Sequence, residues 1–513
     1  MPDLVRAFRT RPVLAAAACA AVLALGMPPP AAALDASTVV ISQGVDVTTL
    51  DPIKASVTPD TNVQEQIFDT LARRSADGAT LIPQLATSWR RVEPTVWEFK
   101  LRRGVTFSNG DPFTSADVKF TVEKILDPAY KSQQVPRVDT VARVDTPDPY
   151  TVRFVTKRPT PLAPAITRPI AIVDATYWRA HGDAYMTEHP VGTGPYVLAS
   201  WRRDDALELA ANAKWWGGAP KIEHVVFKPI PEAGTRVSAL RTGATDLITN
   251  VPFQYATLLA GGANTRMASA KSVRVLYVMF NTLQPGPQQN VLVRQALNYA
   301  IDVPAIVKAV LGGRAFELGE PIPPNFFGYD PSIAPYRHDA AKAQALLAKA
   351  GYPDGRGLSL TLYAPQARYN GDREVALAIA GQLQAAGVHV DVRTQEWGTY
   401  FDQVRQRRLS PMWMLGWGNI TYDADNTLSS DLASDGSTST WSNAAFDKLV
   451  DAARYELDPS KRRALYAKAL RIVHDEAPWL FLFQYEDLYA TSKRLQWEPR
   501  SDEAIYCTEM RLR

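Results

Sequence analysis

Cysteine is scarce: the 513-residue chain has two, Cys19 and Cys507. Cys19 lies inside an N-terminal apolar run, so a processed chain would keep one thiol and no internal disulfide. A chain this long builds a core that needs no such staple. Histidine is also sparse, at positions 181, 189, 224, 338, 389 and 474, and no two stand at metal-ligand spacing. H-E-x-x-H, G-x-S-x-G, G-x-x-x-x-G-K-[ST] and G-x-G-x-x-G are all missing. Catalytic groups converge in space, so these gaps do not exclude an enzyme. They do favour a binding protein, with no cofactor and no metal called for.

Long apolar runs are missing too, with one exception. Arg6, Arg9 and Arg11 precede "PVLAAAACAAVLALG" (12–26), and "PPPAAALDA" follows with small residues at Ala31 and Ala33. That is the three-part layout of a secretory signal peptide, 1–33, cleaved after Ala33. The run is shorter than the ~20 residues of a membrane span. Cys19 stands mid-run, whereas a lipid-accepting cysteine belongs at its end, so release as a soluble exported protein is expected. Without residues 1–33 the chain keeps 53 basic and 52 acidic residues, a net of +1. That balance gives no reason to expect nucleic acid or an anionic membrane as a partner.

What is present is ordinary globular text, 46% hydrophobic and 21% charged, long enough for two to four domains at roughly 100–200 residues each. "TVWEFKLR" (95–102) and "TVRFVTKR" (151–158) alternate as half-buried strands do, and "HVVFKPI" and "VRVLYVMFN" read as further strands. Asn109-Gly110-Asp111-Pro112 marks a turn, after which Thr114 or Ser115 caps a helix. Asp339 caps "AAKAQALLAKA", "REVALAIAGQLQAAG" (373–387) runs into the strand "VHVDVRT", and Asp458-Pro459 opens a long helix closed by Pro478. Helices alternating with strands predict an α/β architecture. The Pro-rich "GEPIPPNFFGYDPSIAPY" (319–336) reads as a tethered surface segment.

"MWMLGWGNITYDADN" (412–426) invites a calcium-loop reading. A loop begun at Asp423 would need glycine at its sixth position and glutamate at its twelfth, where Leu428 and Ser434 stand. Asp423 and Asn426 are instead expected to shape a turn and cap the next helix.

Six blocks carry a resemblance. "LATSWRRVEPTVWEFKLRRGVTFSNGDPFTSADVKFTVEKI" (85–125), "PVGTGPYVLASW" (190–201), "KWWGGAPKIEHVVFKPI" (214–230), "LRTGATDLI" (240–248), "VRQALNYAID" (293–302) and "AKAGYPDG" (348–355) occur in this order. Together they resemble the extracellular solute-binding proteins, family 5, of bacterial ABC importers (the dipeptide, oligopeptide and nickel group). "VPFQYATLLAGG" is similar to the glutathione-receptor branch. The resemblance implies a two-lobed periplasmic-binding-protein (Venus-flytrap) fold that closes on ligand. Lobe I would be 34–283 plus 489–513, with an inserted subdomain near 70–190, and lobe II 284–488. It further implies a monomeric receptor for a short peptide or peptide-like solute, handed to an ABC permease and ATPase. A non-peptide solute (opine, oligosaccharide or metal chelate) and a secreted enzyme stay open as alternatives.

The resemblance also implies the site. Ser56-Val57-Thr58 and Gly416-Trp417-Gly418 correspond to edges that grip a ligand backbone, as an added strand does. Trp417 and Trp397 match aromatic pocket walls, and Tyr277 is a further candidate. Arg368-Tyr369 lies where dipeptide receptors hold the ligand carboxylate, a task suited to a guanidinium fork; pairing with Asp372 is the alternative. The aspartate that anchors a peptide amine falls on Ile420, which puts a plain peptide in doubt and leaves Asn419 or Asp423 as substitutes.

Overall fold

The computed structural model describes residues 36–55, 57–78, 80–161 and 170–513. The expected signal peptide and Ser56 lie outside the described residues.

An eleven-stranded mixed sheet runs through the molecule in the order His389–Glu396, Ser359–Gln366, Met412–Gly418, Thr265–Phe280, Trp479–Ser492, Leu247–Ile248, Thr38–Gln43, His224–Pro229, Ala206–Ala211, Tyr196–Arg202, with Ala315–Glu317 beside Trp479–Ser492. Two strands in this order are unusually long. Thr265–Phe280 and Trp479–Ser492 pair antiparallel along nearly their whole length, from Thr265 opposite Ser492 to Met279 opposite Trp479. A register break between Lys271 and Val275 bends the pair at its middle.

On either side of that bend the apolar side chains belong to different cores. Val273–Phe280 and Trp479–Tyr485 join a core with the helices Val291–Ala300, Asp372–Ala385 and Pro459–Glu476. Met267, Leu488 and Ala490 pack with Val237, Leu240 and Leu259, while Tyr489, Leu495 and Trp497 join the large core around Val39, Ile41 and Phe227. The molecule is therefore two-lobed, with two antiparallel strands as the link. A separate four-stranded antiparallel sheet, Ala86–Glu93, Val96–Leu101, Thr151–Thr156, Val141–Asp148, packs its apolar face (Phe99, Val144, Phe154) onto the core around Val39, Ile41 and Phe227, which is that of the first lobe in chain order; the core of Val273–Phe280 is that of the second.

Local signals explain the element ends. Thr114 and Asp117 form a reciprocal capping box on Ser115–Leu126, and Asp339 and Asp458 cap their helices as expected. The Pro-rich segment departs from its predicted surface position. Glu320 is buried, and Ile322, Phe326 and Ile333 are buried in the second core. Its prolines have no N–H to satisfy, so this irregular backbone can be buried with fewer orphaned donors. No helix among the described residues is long and apolar enough to cross a membrane.

Candidate functional site

Between the lobes lies a cavity of about 670 Å³, adjoined by an inner one of about 550 Å³. Thr58, Asn62, Arg274, Arg368 and Tyr369 line both, so these residues form the partition between an outer and an inner chamber.

The first-lobe wall is the start of the helix Thr58–Ile67. Val57 is its extended N-cap, and its carbonyl accepts from the N–H groups of Asp60 (3.1 Å) and Thr61 (3.0 Å). That carbonyl is spent on the helix, while the residue still lines the outer chamber. The second-lobe wall is the end of the strand Met412–Gly418. Ser359–Gln366 pairs with it only at Met412 and Trp413, so beyond Trp413 it has a single strand partner, Thr265–Phe280. Side chains use part of this edge: Tyr400 donates to the Met414 carbonyl (2.6 Å) and Tyr369 to that of Gly416 (3.3 Å). Gly416 has to be glycine, since a Cβ there would come 2.8 Å from the Tyr369 ring.

Arg368 and Tyr369 stand on the loop entering Asp372–Ala385. Asp372 does not pair with the guanidinium. Its Oδ2 accepts the backbone N–H groups of Arg368 (2.9 Å) and Tyr369 (3.0 Å), which fixes the loop. The Arg368 side chain is 6% exposed and packs over the rings of Tyr369 (4.8 Å) and Trp397 (5.2 Å). Among the described residues no carboxylate lies within 4.0 Å of it, and its Nε has no hydrogen-bond partner. Burial, then the neighbouring Arg274, depress its pKa. A buried cation without a counter-ion is costly, and a ligand anion would relieve that cost.

Arg274 and Glu503 are the pair that sequence reasoning missed. Arg274 Nε donates to Glu503 Oε1 at 2.7 Å, its NH2 donates to Thr58 Oγ1 at 2.8 Å, and its NH1 donates to the Gly416 carbonyl. One side chain thus ties both walls of the cleft. Burial raises the Glu503 pKa, but Arg274 outweighs it and holds the carboxylate below its usual range. The available signal was a lone arginine inside the apolar run "SVRVLYVMF".

Of the nine expected ligand-binding residues, Val57, Thr58, Arg368, Tyr369, Trp397, Gly416 and Trp417 line the outer chamber, together with Ile420. Trp417 is half-buried, with its indole N–H on Asn426 Oδ1 (3.1 Å). Trp397 packs against Phe401 at 4.8 Å. Tyr277 and Asn419 stand apart from both chambers. Tyr277 is fully buried, stacked on Trp479 at 3.5 Å, and donates to Asp431 at 2.8 Å. Asn419 is 1% exposed, and its carboxamide is engaged by Asp423 O, Thr427 Oγ1 and the N–H and hydroxyl of Thr421. Strand alternation turned Tyr277 into the core, and turn geometry consumed Asn419.

Asp423 caps Ala424–Thr427 and is chelated by Arg462 through two 2.6 Å bonds. Arg454 reaches Asp425 (3.0 Å) in its own lobe and Asp139 (2.8 Å) in the other. Beside it, Arg158 pairs with Asp451 and covers the Tyr455 ring at 3.6 Å, and Thr160 donates to the Arg454 carbonyl at 2.8 Å. These lobe-to-lobe contacts lie outside the chambers' lining.

Comparison with known proteins agrees with the two-lobed fold. The family described as "Bacterial extracellular solute-binding proteins, family 5 Middle" matches residues 80–439. Glutathione-binding protein GsiB of Escherichia coli (strain K12) is 30% identical over 477 residues, covering 90% of this chain and 92% of that one. The periplasmic binding protein DppA from Helicobacter pylori, solved with the peptide STSA, superposes with a TM-score of 0.84 at 26% identity over 93% of this chain and 98% of that one. AgaA of A. tumefaciens R10, solved with agropinic acid, gives 0.82 at 26% over 93% and 99%. This chain belongs to the bacterial extracellular solute-binding proteins, family 5.

Proposed function

We propose that the chain is a periplasmic receptor of an ABC importer that closes on a short peptide, or a peptide-like or amino-acid-conjugate solute, and delivers it to a membrane permease and its ATPase. The observation that carries the reading is Arg368, a buried guanidinium without a carboxylate partner in the wall of the interlobe cavity. A ligand carboxylate completes it with charge-assisted bonds. Trp397, Trp417 and Tyr369 supply apolar and aromatic walls beside it. The relatives are binding proteins, which supports binding without turnover.

In this reading lobe I comprises 34–283 plus 489–513, with an inserted subdomain near 70–190, and lobe II 284–488. The change of core between Met267 and Val273 supports moving the first crossing into the bend of Thr265–Phe280. Ligand that touches both lobes stabilises the closed form by its differential contacts with that form. A non-peptide carboxylate such as an opine is the second reading, favoured by the likeness to AgaA with its agropinic acid.

The test is a thermal-shift screen over di- and tripeptides, glutathione, opines and oligosaccharides. A ligand at a hundred times its Kd stabilises the folded chain by about 2.7 kcal/mol, a clear rise in Tm. The reading fails if no carboxylate-bearing solute raises Tm, or if Trp417→Ala and Arg368→Ala both leave the hit's affinity unchanged.

A further inference from the structure

Four charged side chains line the inner chamber: Arg274, Arg368, Asp487 and Glu503. Two of them are spent on each other. Glu503 accepts from Arg274 Nε at 2.7 Å, from Ser272 Oγ at 3.0 Å and from Thr58 Oγ1 at 3.0 Å. The remaining nitrogens of Arg274 go to Glu503, Thr58 and the Gly416 carbonyl. The other two side chains keep open valences. Arg368 has an Nε without an acceptor and no carboxylate within 4.0 Å among the described residues. Asp487 stands beside the bend of Trp479–Ser492, opposite Ala270, and its Oδ2 has no donor.

Arg368 and Asp487 carry opposite charges and face one chamber, yet they form no ion pair within 4.0 Å. A buried charge without a partner is costly on either side, so a ligand bearing both signs relieves both costs at once. The outer chamber offers no such arrangement. Ile420 is apolar there, Glu65 shares the space with Arg137, and Asp502 is chelated by Arg500 through bonds of 3.0 Å to each carboxylate oxygen.

We propose that Asp487 is the ammonium anchor of this receptor. The ligand carries a free amine that meets Asp487 in the inner chamber and a carboxylate that meets Arg368 on the partition. Its apolar arms lie in the outer chamber, against Trp397, Trp417 and Ile420. The inference rests on the receptor reading above and narrows it to zwitterionic solutes. Burial, then the neighbouring Glu503, push the Asp487 carboxyl up to about 8, and an ammonium at hydrogen-bond distance favours its ionised form.

Isothermal titration of the full chain at neutral pH tests this with free-amine and N-acetyl pairs: alanyl-phenylalanine, glutathione and the tightest free-amine solute from the screen. The free amine is expected to bind at least tenfold tighter than its N-acetyl form, a comparison that needs no variant. Asp487→Asn keeps the shape of the side chain and is expected to abolish that preference, bringing the two forms within threefold. Arg368→Gln is expected to weaken both forms alike, since both keep the carboxylate. Equal or tighter binding of the N-acetyl form overturns the proposal. So does an Asp487→Asn variant that weakens both forms equally, or a preference that survives Asp487→Asn and disappears in Glu65→Gln. Each of these results leaves the receptor reading standing. If other carboxylates bind and no free-amine solute does, the anchor falls alone; if no carboxylate-bearing solute binds, both fall.

Discussion

Replacing Glu503 with glutamine keeps the shape of the side chain and removes its charge. Arg274, 7% exposed, would be left facing an amide whose N–H₂ cannot accept, with a second cation, Arg368, close enough that Arg274 depresses its pKa. Removing one partner of a buried ion pair costs about 3–5 kcal/mol, and the ring of bonds from Arg274, Ser272 and Thr58 to Glu503 places this pair within that range. Arg274→Met leaves the complementary orphan, a buried carboxylate, at a similar cost. The double variant loses both charges together, so the two losses are expected to fall short of additive by about 2–3 kcal/mol. Urea unfolding followed by tryptophan fluorescence measures each. The sign with pH is fixed as well. A carboxylate held below its ordinary 4.5 contributes stability that is present above that value and lost as pH falls through the folded value. Glu503→Gln therefore removes part of the acid-side slope. Additivity within about 0.5 kcal/mol, or a single-variant cost under 1 kcal/mol, would refute the reading of this pair as a buried tie between the cleft walls.

Other outcomes follow from the same structure. Burial raises Asp60 and Asp431 to about 7 and Glu320 to about 9, so the folded chain holds protons there that the unfolded chain has released. Unfolding free energy should therefore fall as pH rises from about 6 to 9, and a rise over that window in pH-dependent urea titrations would contradict the assignment. Tyr277→Phe strands a buried Asp431 oxygen and should cost about 1–3 kcal/mol of stability, with ligand Kd unchanged within twofold. Asp423→Asn, which breaks the Arg462 chelate, should lower stability by about 3 kcal/mol, while millimolar calcium leaves the Tm of the unaltered chain in place. Asp139→Asn removes a partly exposed pair worth up to about 1 kcal/mol; affinity for every ligand should drop by the same factor, up to about fivefold, and unequal drops would count against a purely interlobe role.

Much of the frame was legible because local rules decided it. Caps at Thr114, Asp339 and Asp458, and alternation in 95–102 and 151–158, depend on neighbours in sequence. The seven residues brought to the outer chamber were reached through the resemblance, since no periodicity distinguishes a pocket tryptophan from a core one. What escaped was set by distant partners. Glu503 lies 229 positions from Arg274, and nothing beside either residue announces the other. Asn419 looked available only because the four groups that consume it come from a turn whose shape the sequence does not spell out. The Pro-rich segment misled because composition suggests solvent, while Ile322 and Phe326 follow the core.

The contacts that join Arg158, Thr160 and Asp139 to Asp451, Arg454 and Tyr455 touch no residue of either chamber. In a receptor that closes as proposed, they would shift the shut population of the empty form, and with it the apparent Kd, by a common multiplier for all solutes. On that reading the chamber walls would set selectivity, and the rim sensitivity. Drift at these six positions could retune a lineage to scarce or plentiful supplies without changing what it collects. Changes at Trp417 or Arg368 would alter the diet and leave that gain control intact.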